Sequence, residues 1–128
     1  MSRHDDQRLG DILASAQAIA DHTRRGDLND GLVYDAVRVR LIEIGEAVKS
    51  IDPALLSSEP DTPWTDIAGM RNHLAHRYFD TAHAIVQATI TYDLPPLVAA
   101  VRRLVATVDH HTETPTFTPP DTSDSDGS

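Results

Sequence analysis

The stretch MRNHLAHRYFD, at residues 70–80, places an arginine, two histidines and a tyrosine close together in the chain. A guanidinium holds phosphate oxygens with paired N–H groups and stays charged at any cellular pH. An imidazole, whose pKa is about 6.5, accepts or releases a proton under the same conditions. Two interpretations are open: a polar helix end, or a site that acts on a phosphodiester.

RNA is the phosphodiester that suits these residue types, because its 2′-hydroxyl supplies the nucleophile. A protein then has to activate that hydroxyl, stabilise the developing charge and protonate the leaving group. Arg71 and His76 are sufficient for this chemistry, and no metal or other cofactor is required. In this hypothesis Arg71 stabilises the phosphate, and His76 acts as general acid or base.

The spacing of Arg71 and His76 sets a geometric condition. On one continuous helix, residues five apart diverge by about 140° and by about 7.5 Å of rise. The two can meet if the helix ends near His76, or if a symmetric dimer faces two copies across a two-fold axis. The bare spacing favours a structural role, with Arg71 extending from a bundle and His76 bonded to the helix end.

The composition limits the classes of protein that fit. The 128 residues suffice for one domain, with a net charge of −9. Four acids and no base lie in residues 112–128, which leaves 16 acids against 11 bases in the body. An acidic body argues against a protein that coats nucleic acid by bulk attraction, so any RNA contact must depend on local clustering of arginines.

Location and domain limits are also expectations from composition. The chain has no cysteine, which excludes disulfide and thiolate chemistry and favours the cytoplasm. We expect no secretory signal and no apolar segment long enough to span a membrane. Residues 112–128 are rich in Pro, Thr, Ser and Asp and are predicted to be a disordered tail after a helical domain over residues 1–111.

Apolar residues recur at helical spacing through the body, which predicts an all-α protein. The first helix is predicted over residues 5–25, and a second begins after Asn29 or Asp30 as N-cap and ends at Asp52-Pro53. Gly45 lowers helix propensity within the second helix, so we expect another helix to approach it closely.

Three further helices are predicted: residues 64–75 with Thr62 or Thr65 as N-cap, a helix that begins after Asp80 or Thr81 and is broken at residues 93–95, and a last helix over residues 97–108. No strand alternation or glycine-rich phosphate loop is found in the sequence. Short connections between long helices predict an antiparallel bundle of four or five helices.

Four segments carry a resemblance to a known family: LIEIGEA at residues 41–47, WTDIAGMRN at 64–72, HRYF at 76–79 and YDLPPL at 92–97. With the flanking helices they cover residues 8–108 and resemble the HepT group of the HEPN superfamily. That group is the toxin half of HEPN/MNT toxin–antitoxin pairs. The family's Arg-x4-His-x-Tyr pattern falls on Arg71, His76 and Tyr78. Gln87 departs from the family, which often has tryptophan there.

The resemblance implies a homodimeric, metal-independent RNA endonuclease with its site in a cleft between protomers. Arg71 and His76 are then catalytic, with Asn72 as a supporting polar group. Arg77 is a second cation that is a candidate for RNA contact or for a solvent-exposed position, and His73 is a further candidate for RNA contact.

The resemblance also implies a partner, an MNT-type nucleotidyltransferase antitoxin that silences the toxin by transferring AMP to Tyr78. A phosphodiester on Tyr78 adds negative charge and acceptor oxygens beside Arg71. The attached adenylate would then occupy the place of an RNA nucleotide and repel another phosphate.

The sequence also allows rival interpretations. The same cleft can belong to a non-catalytic helical module that binds a nucleotide or docks a nucleotidyltransferase. Among the other polar residues, His73 and His76 lack a third ligand with metal-site spacing. Four arginines are expected to be exposed cations, with contact to RNA as the alternative: Arg38, Arg40, Arg102 and Arg103. Glu43 and Glu46 are expected to face solvent, with approach to the cleft as the alternative.

Overall fold

The computed structural model describes residues 3–75 and 79–116. Its elements, in order, are α1 (Arg3–Arg25), α2 (Gly31–Lys49), α3 (Pro53–Leu56), α4 (Trp64–Ala68), α5 (Met70–His73), α6 (Phe79–Ala88), a π-helical segment (Thr89–Asp93) and α7 (Leu94–Thr116). The described part of the chain contains no strand, which confirms the all-α class.

The helices α1 and α2 form an antiparallel pair. The first turn of α1 meets the end of α2, because His4 Nε2 donates to the Ser50 carbonyl at 3.0 Å and Asp5 Oδ1 accepts from the Asp52 amide at 3.2 Å. The predicted N-cap Asp30 is confirmed, since its carboxylate accepts from the Leu32 amide at 2.9 Å.

The helix α1 packs against both α2 and α7, and α4, α5 and α6 pack against α2. The most deeply buried side chains of the core come from every long helix and from the end of α5: Leu9, Ile12, Ile19, Val37, Leu41, Ile44, Leu74, Val86, Val101 and Leu104. Because α2 contacts α1 as well as α4, α5 and α6, it is the central element of the bundle.

Gly45 marks the close approach that its position within α2 predicted. A Cβ built there would lie 2.7 Å from the Ile67 carbonyl oxygen and 3.1 Å from Met70 Cβ. Only a glycine lets α2 approach α4 and α5 at this distance. The prediction is therefore confirmed.

The prediction of one helix over residues 64–75 is wrong. Gly69 divides it into α4 and α5, because its backbone (φ −84°, ψ 12°) leaves the helical region. Its carbonyl then begins α5 by accepting from the amides of Asn72 and His73 at 2.9 and 3.2 Å. The N-cap of α4 is Pro63, with no side-chain cap bond, rather than Thr62 or Thr65.

The predicted break at residues 93–95 is also wrong. The chain passes from α6 through the π-helical segment straight into α7, and α6 begins at Phe79, before both predicted caps. Pro95 and Pro96 fall in the first turn of α7, where proline is compatible with a helix. Pro95 and Pro96 have no backbone N–H, so the hydrogen bonds that they cannot make fall where the π-helical segment joins α7. At its other end, α7 continues to Thr116, and residues 117–128 of the predicted tail lie outside the described residues.

One helical stretch among the described residues, Asp80–Thr107, is long and apolar enough by length and composition to span a membrane. The expectation that no segment reaches this length is therefore wrong. The same stretch places Val86, Leu97 and Leu104 in the core. Core helices of bundles meet the same criterion, so length and composition alone do not indicate a membrane span.

Candidate functional site

The helix α5 is a single turn that presents its polar residues outward. Met70 and Leu74 are buried in the core and fix the turn from inside. Arg71, Asn72 and His73, between them, are exposed. This short element therefore carries three of the residues that the sequence singled out.

Arg71 lies against a carboxylate of α2. Its Nε is 3.7 Å from Glu46 Oε2, which also lies 3.3 Å from Lys49 Nζ. The side chains of Arg71 and Glu46 are 61% and 46% exposed, so water screens the pair strongly. Because the contact is through Nε, and the described residues offer the Nη groups no ion pair, those groups can bind a phosphate.

An open groove between α1 and α2 extends to Arg71. Its lining includes four arginines and three carboxylates: Arg8, Asp11, Arg38, Arg40, Glu43, Glu46 and Arg71. The described lining is thus positive by one charge, on a chain whose net charge is −9. The groove therefore provides the local clustering of arginines that RNA binding to an acidic protein requires.

Most charged residues of this arginine-lined groove are already paired. Arg8 Nη1 lies 3.1 Å from Asp11 Oδ2, and Arg40 Nη1 lies 3.1 Å from Glu43 Oε1. Ser15 Oγ also donates to Glu43, at 3.3 Å. These pairs restrain the carboxylates and reduce their repulsion of a bound phosphate.

Arg38 makes a different contact, which the sequence did not reveal. Its Nη2 donates to the main-chain carbonyl of Leu74 at 3.1 Å, and its side chain is half-buried. Leu74 is the C-cap of α5. The bond therefore ties the centre of α2 to the end of the Arg71 helix. Residue spacing gave no signal for it, because the acceptor is a backbone oxygen far along the chain.

One turn before Arg38, Tyr34 connects α2 with α6. Its ring stacks on His83, with centroids 5.9 Å apart and planes 9° apart. Burial raises the pKa of the Tyr34 hydroxyl, the nearby Arg38 guanidinium opposes that rise, and Asp35 adds to it. A single face of α2 thus contacts both α6 and the end of α5.

His73 faces away from the arginine-lined groove. It lines a cavity of about 340 Å³ on the other side of α5, whose wall is mostly apolar, with exposed Asp66 and Asp93. Arg71 and His73 therefore contribute to different surfaces. Across residues 3–75 and 79–116, no group of three or more His, Asp or Glu side chains is placed to hold a metal ion.

Three of the predicted site residues, His76, Arg77 and Tyr78, lie outside the described residues. The convergence of Arg71 and His76 therefore stays a prediction. One condition for it is met, since α5 ends at His73 and no continuous helix joins Arg71 to His76.

Comparison with known proteins identifies the family. The family described as Ribonuclease HepT-like matches residues 9–104. The chain is 31% identical over 101 residues to "Putative RNase MJ0125" of Methanocaldococcus jannaschii, covering 76% of this chain and 87% of the relative. It is 31% identical over 108 residues to "Probable ribonuclease HepT" of Thermococcus cleftensis, covering 81% and 98%. No solved structure matches the chain. The chain therefore belongs to the HepT-like family of endoribonucleases, as the resemblance indicated.

Proposed function

We propose that this protein is the toxin of a cytoplasmic toxin–antitoxin pair and cleaves RNA without a metal ion at Arg71 and His76. The observation that carries the proposal is the position of Arg71. It stands at the edge of a groove whose described lining has a net positive charge, on a helix that ends before His76. The relatives named RNase support RNA as the substrate.

The proposed reaction is an internal transesterification. His76, or a second proton acceptor, takes the proton from the 2′-hydroxyl, and the 2′-oxygen attacks phosphorus. The bond from phosphorus to the 5′-oxygen breaks, and that oxygen receives a proton from the general acid. Arg71 stabilises the negative charge on the non-bridging oxygens, and Asn72 supports the phosphate through its amide.

The proposed active form is a homodimer. Two exposed apolar residues of α2, Leu32 and Val39, are seven positions apart and so share a helix face. Val39 also lines the arginine-lined groove. A second protomer on this face would cover both residues and turn the open groove into a cleft between protomers.

Silencing by a nucleotidyltransferase is the proposed regulation. Transfer of AMP to Tyr78 adds one phosphodiester charge seven residues from Arg71 in the sequence. A phosphate ester accepts hydrogen bonds from a guanidinium, so the adenylate competes with RNA for Arg71. Arg77 is proposed to contact RNA rather than to act on it.

Cleavage of RNA in excess chelator tests the catalytic proposal. Wild-type protein, freed of adenylate, is expected to cut cellular RNA, whereas Arg71→Ala and His76→Ala are expected to lose at least about 100-fold in rate. The matched control is Arg25→Ala, which removes an exposed arginine outside the groove. Equal cleavage by all four proteins, or no cleavage by the wild type, would refute the catalytic proposal. The remaining interpretation would be a helical module that only binds a nucleotide or docks an antitoxin.

Intact mass tests the regulation. After co-expression with a cognate nucleotidyltransferase, the protein is expected to gain one or more AMP units and to lose RNA cleavage. Tyr78→Phe is expected to gain none and to keep its activity. An unchanged mass after co-expression would refute modification of this tyrosine.

A further inference from the structure

The helix α5 cannot hold its own conformation. It contains four residues, and a single hydrogen-bonded turn is unfavourable in water. Its position therefore depends on contacts with other elements. Met70 and Leu74 bind it to the core, and the contact at Gly45 sets its distance from α2.

These apolar contacts do not provide hydrogen-bond donors for the backbone carbonyls at the end of α5. The last carbonyls of a helix have no partner within the helix and carry the negative end of its dipole. At the end of α5, the Leu74 carbonyl accepts from Arg38 Nη2 at 3.1 Å. A guanidinium suits this place because it supplies both a donor and a positive charge.

Arg38 is also unlike the other arginines of the groove. Arg8, Arg40 and Arg71 each pair with a carboxylate, and these pairs are largely exposed. The contact that the structure gives Arg38 is with a backbone carbonyl, and its side chain is half-buried. Its role therefore differs from that of a surface ion pair.

We propose that Arg38 is a positioning residue of the RNA-cleavage site. By binding the Leu74 carbonyl, Arg38 fixes the position of Arg71, which lies three residues earlier. The same bond fixes the end of α5, from which the chain continues to His76. The inference rests on the proposed function, because it concerns how that site is kept in place. Arg38 does not bind the substrate in this proposal.

Kinetics with Arg38→Gln separate positioning from binding. A displacement of about 1 Å can cost a reaction about 100-fold in rate, so we expect kcat to fall about 10- to 100-fold with little change in KM. Arg38→Lys, whose ammonium can still donate to the carbonyl, is expected to recover much of the lost rate. Arg25→Gln removes an equal charge outside the groove and is expected to behave as wild type.

The salt dependence of RNA binding gives a second readout that a structural loss does not mimic. Arg71→Gln is expected to reduce the slope of log affinity against log salt by about 1, as for a lost phosphate contact. Arg38→Gln is expected to leave the slope unchanged. A reduced slope for Arg38→Gln would overturn the proposal, because Arg38 would then bind phosphate itself.

Hydrogen exchange tests the positioning without relying on catalysis. In Arg38→Gln the amides of residues 70–75 are expected to exchange at least about 10-fold faster, while those of α1 keep their protection. Unchanged exchange in residues 70–75 would overturn the proposal. If the wild type cleaves RNA and Arg38→Gln cleaves equally well, this inference fails and the proposed function stands. If the wild type does not cleave, the proposed function fails.

Discussion

At the scale of single residues, Gly45 determines how close α4 and α5 come to α2. The Ile67 carbonyl oxygen lies 2.7 Å from the place that a Cβ at this position would occupy. The position of Arg71 therefore depends indirectly on the absence of a methyl group in α2.

Substitution of Gly45 by alanine is expected to destabilise the protein. Alanine favours a helix by about 0.5–1 kcal/mol over glycine, but overpacking costs about 1–3 kcal/mol. We expect a net loss in the free energy of unfolding, measured by urea denaturation. Gly10→Ala is the matched control, since nothing lies within 4 Å of its Cβ. Gly10→Ala should stabilise the protein, and an equal gain at Gly45 would contradict the close approach.

In the proposed site, Glu46 would compete with RNA for Arg71, because it lies 3.7 Å from the Arg71 guanidinium. An exposed ion pair contributes about 0.2–1 kcal/mol, so its loss should change affinity by up to about fivefold. Glu46→Gln is expected to bind RNA about two- to fivefold more tightly, measured in a His76→Ala background that does not cleave. Asp61→Asn, an exposed loop change of equal charge, serves as the control. Weaker binding by Glu46→Gln would mean that Glu46 orients Arg71.

At the scale of elements, the connection between α3 and α4 is held from two sides. Trp64 Nε1 donates to the carbonyls of Leu56 and Glu59 at 2.9 and 3.0 Å. Arg103 Nη2 of α7 donates to Glu59 Oε1 at 2.7 Å. The connection thus joins α4, and with it α5, to the last helix.

The pair of Glu59 and Arg103 makes stability depend on pH. The hydrogen bond from Arg103 holds the pKa of Glu59 below its ordinary value of 4.5. A carboxylate with a lowered pKa stabilises the fold above the unfolded value, and the contribution is lost as pH falls through the folded pKa. Arg103→Gln is therefore expected to have a lower free energy of unfolding than the wild type at pH 7. The difference between the two proteins should shrink as pH falls below 4.5.

Urea denaturation at several pH values measures this difference. Arg25→Gln, which removes an exposed charge from the end of α1, should show no comparable pH dependence. A gap between wild type and Arg103→Gln that is constant down to about pH 3 would exclude the ion pair as its cause.

The long helices were predictable because their apolar residues recur at helical spacing and Asp30 supplies a side-chain cap. The division of the third predicted helix at Gly69 was not predictable, because apolar residues continue at helical spacing on both sides of it. Pro95 looked like a break because the sequence does not reveal a π-helical segment that accommodates it. In the candidate site, the pattern singled out Arg71. The contact of Arg38 could not be predicted, because its backbone acceptor comes near only through the fold.

At the scale of the whole molecule, an acidic protein has to bind an acidic polymer. The net charge of −9 slows the approach of RNA, and the arginine-lined groove has only a small positive excess. A dimer that brings two such grooves together would strengthen the local field. Assembly and activity are therefore expected to depend on each other.

Light scattering tests the assembly. Purified protein is expected to have twice the 14.0 kDa mass of one chain. Val39→Glu, at a residue that is 50% exposed on α2, should weaken the dimer because it buries a charge at the interface. Tyr92→Ser changes another exposed apolar residue, which is 74% exposed and belongs to the π-helical segment, and this variant should stay dimeric. A monomeric wild type would contradict the proposed cleft between protomers.

The chemistry of the cut ends shows whether the 2′-hydroxyl of the RNA is the nucleophile. RNA digested in excess chelator should carry 2′,3′-cyclic phosphate and 5′-hydroxyl ends, because the 2′-oxygen displaces the 5′-oxygen. These ends should be absent with Arg71→Ala and with His76→Ala. Ends that carry a 5′-phosphate, or cleavage that stops when metal is removed, would contradict metal-independent cleavage by Arg71 and His76.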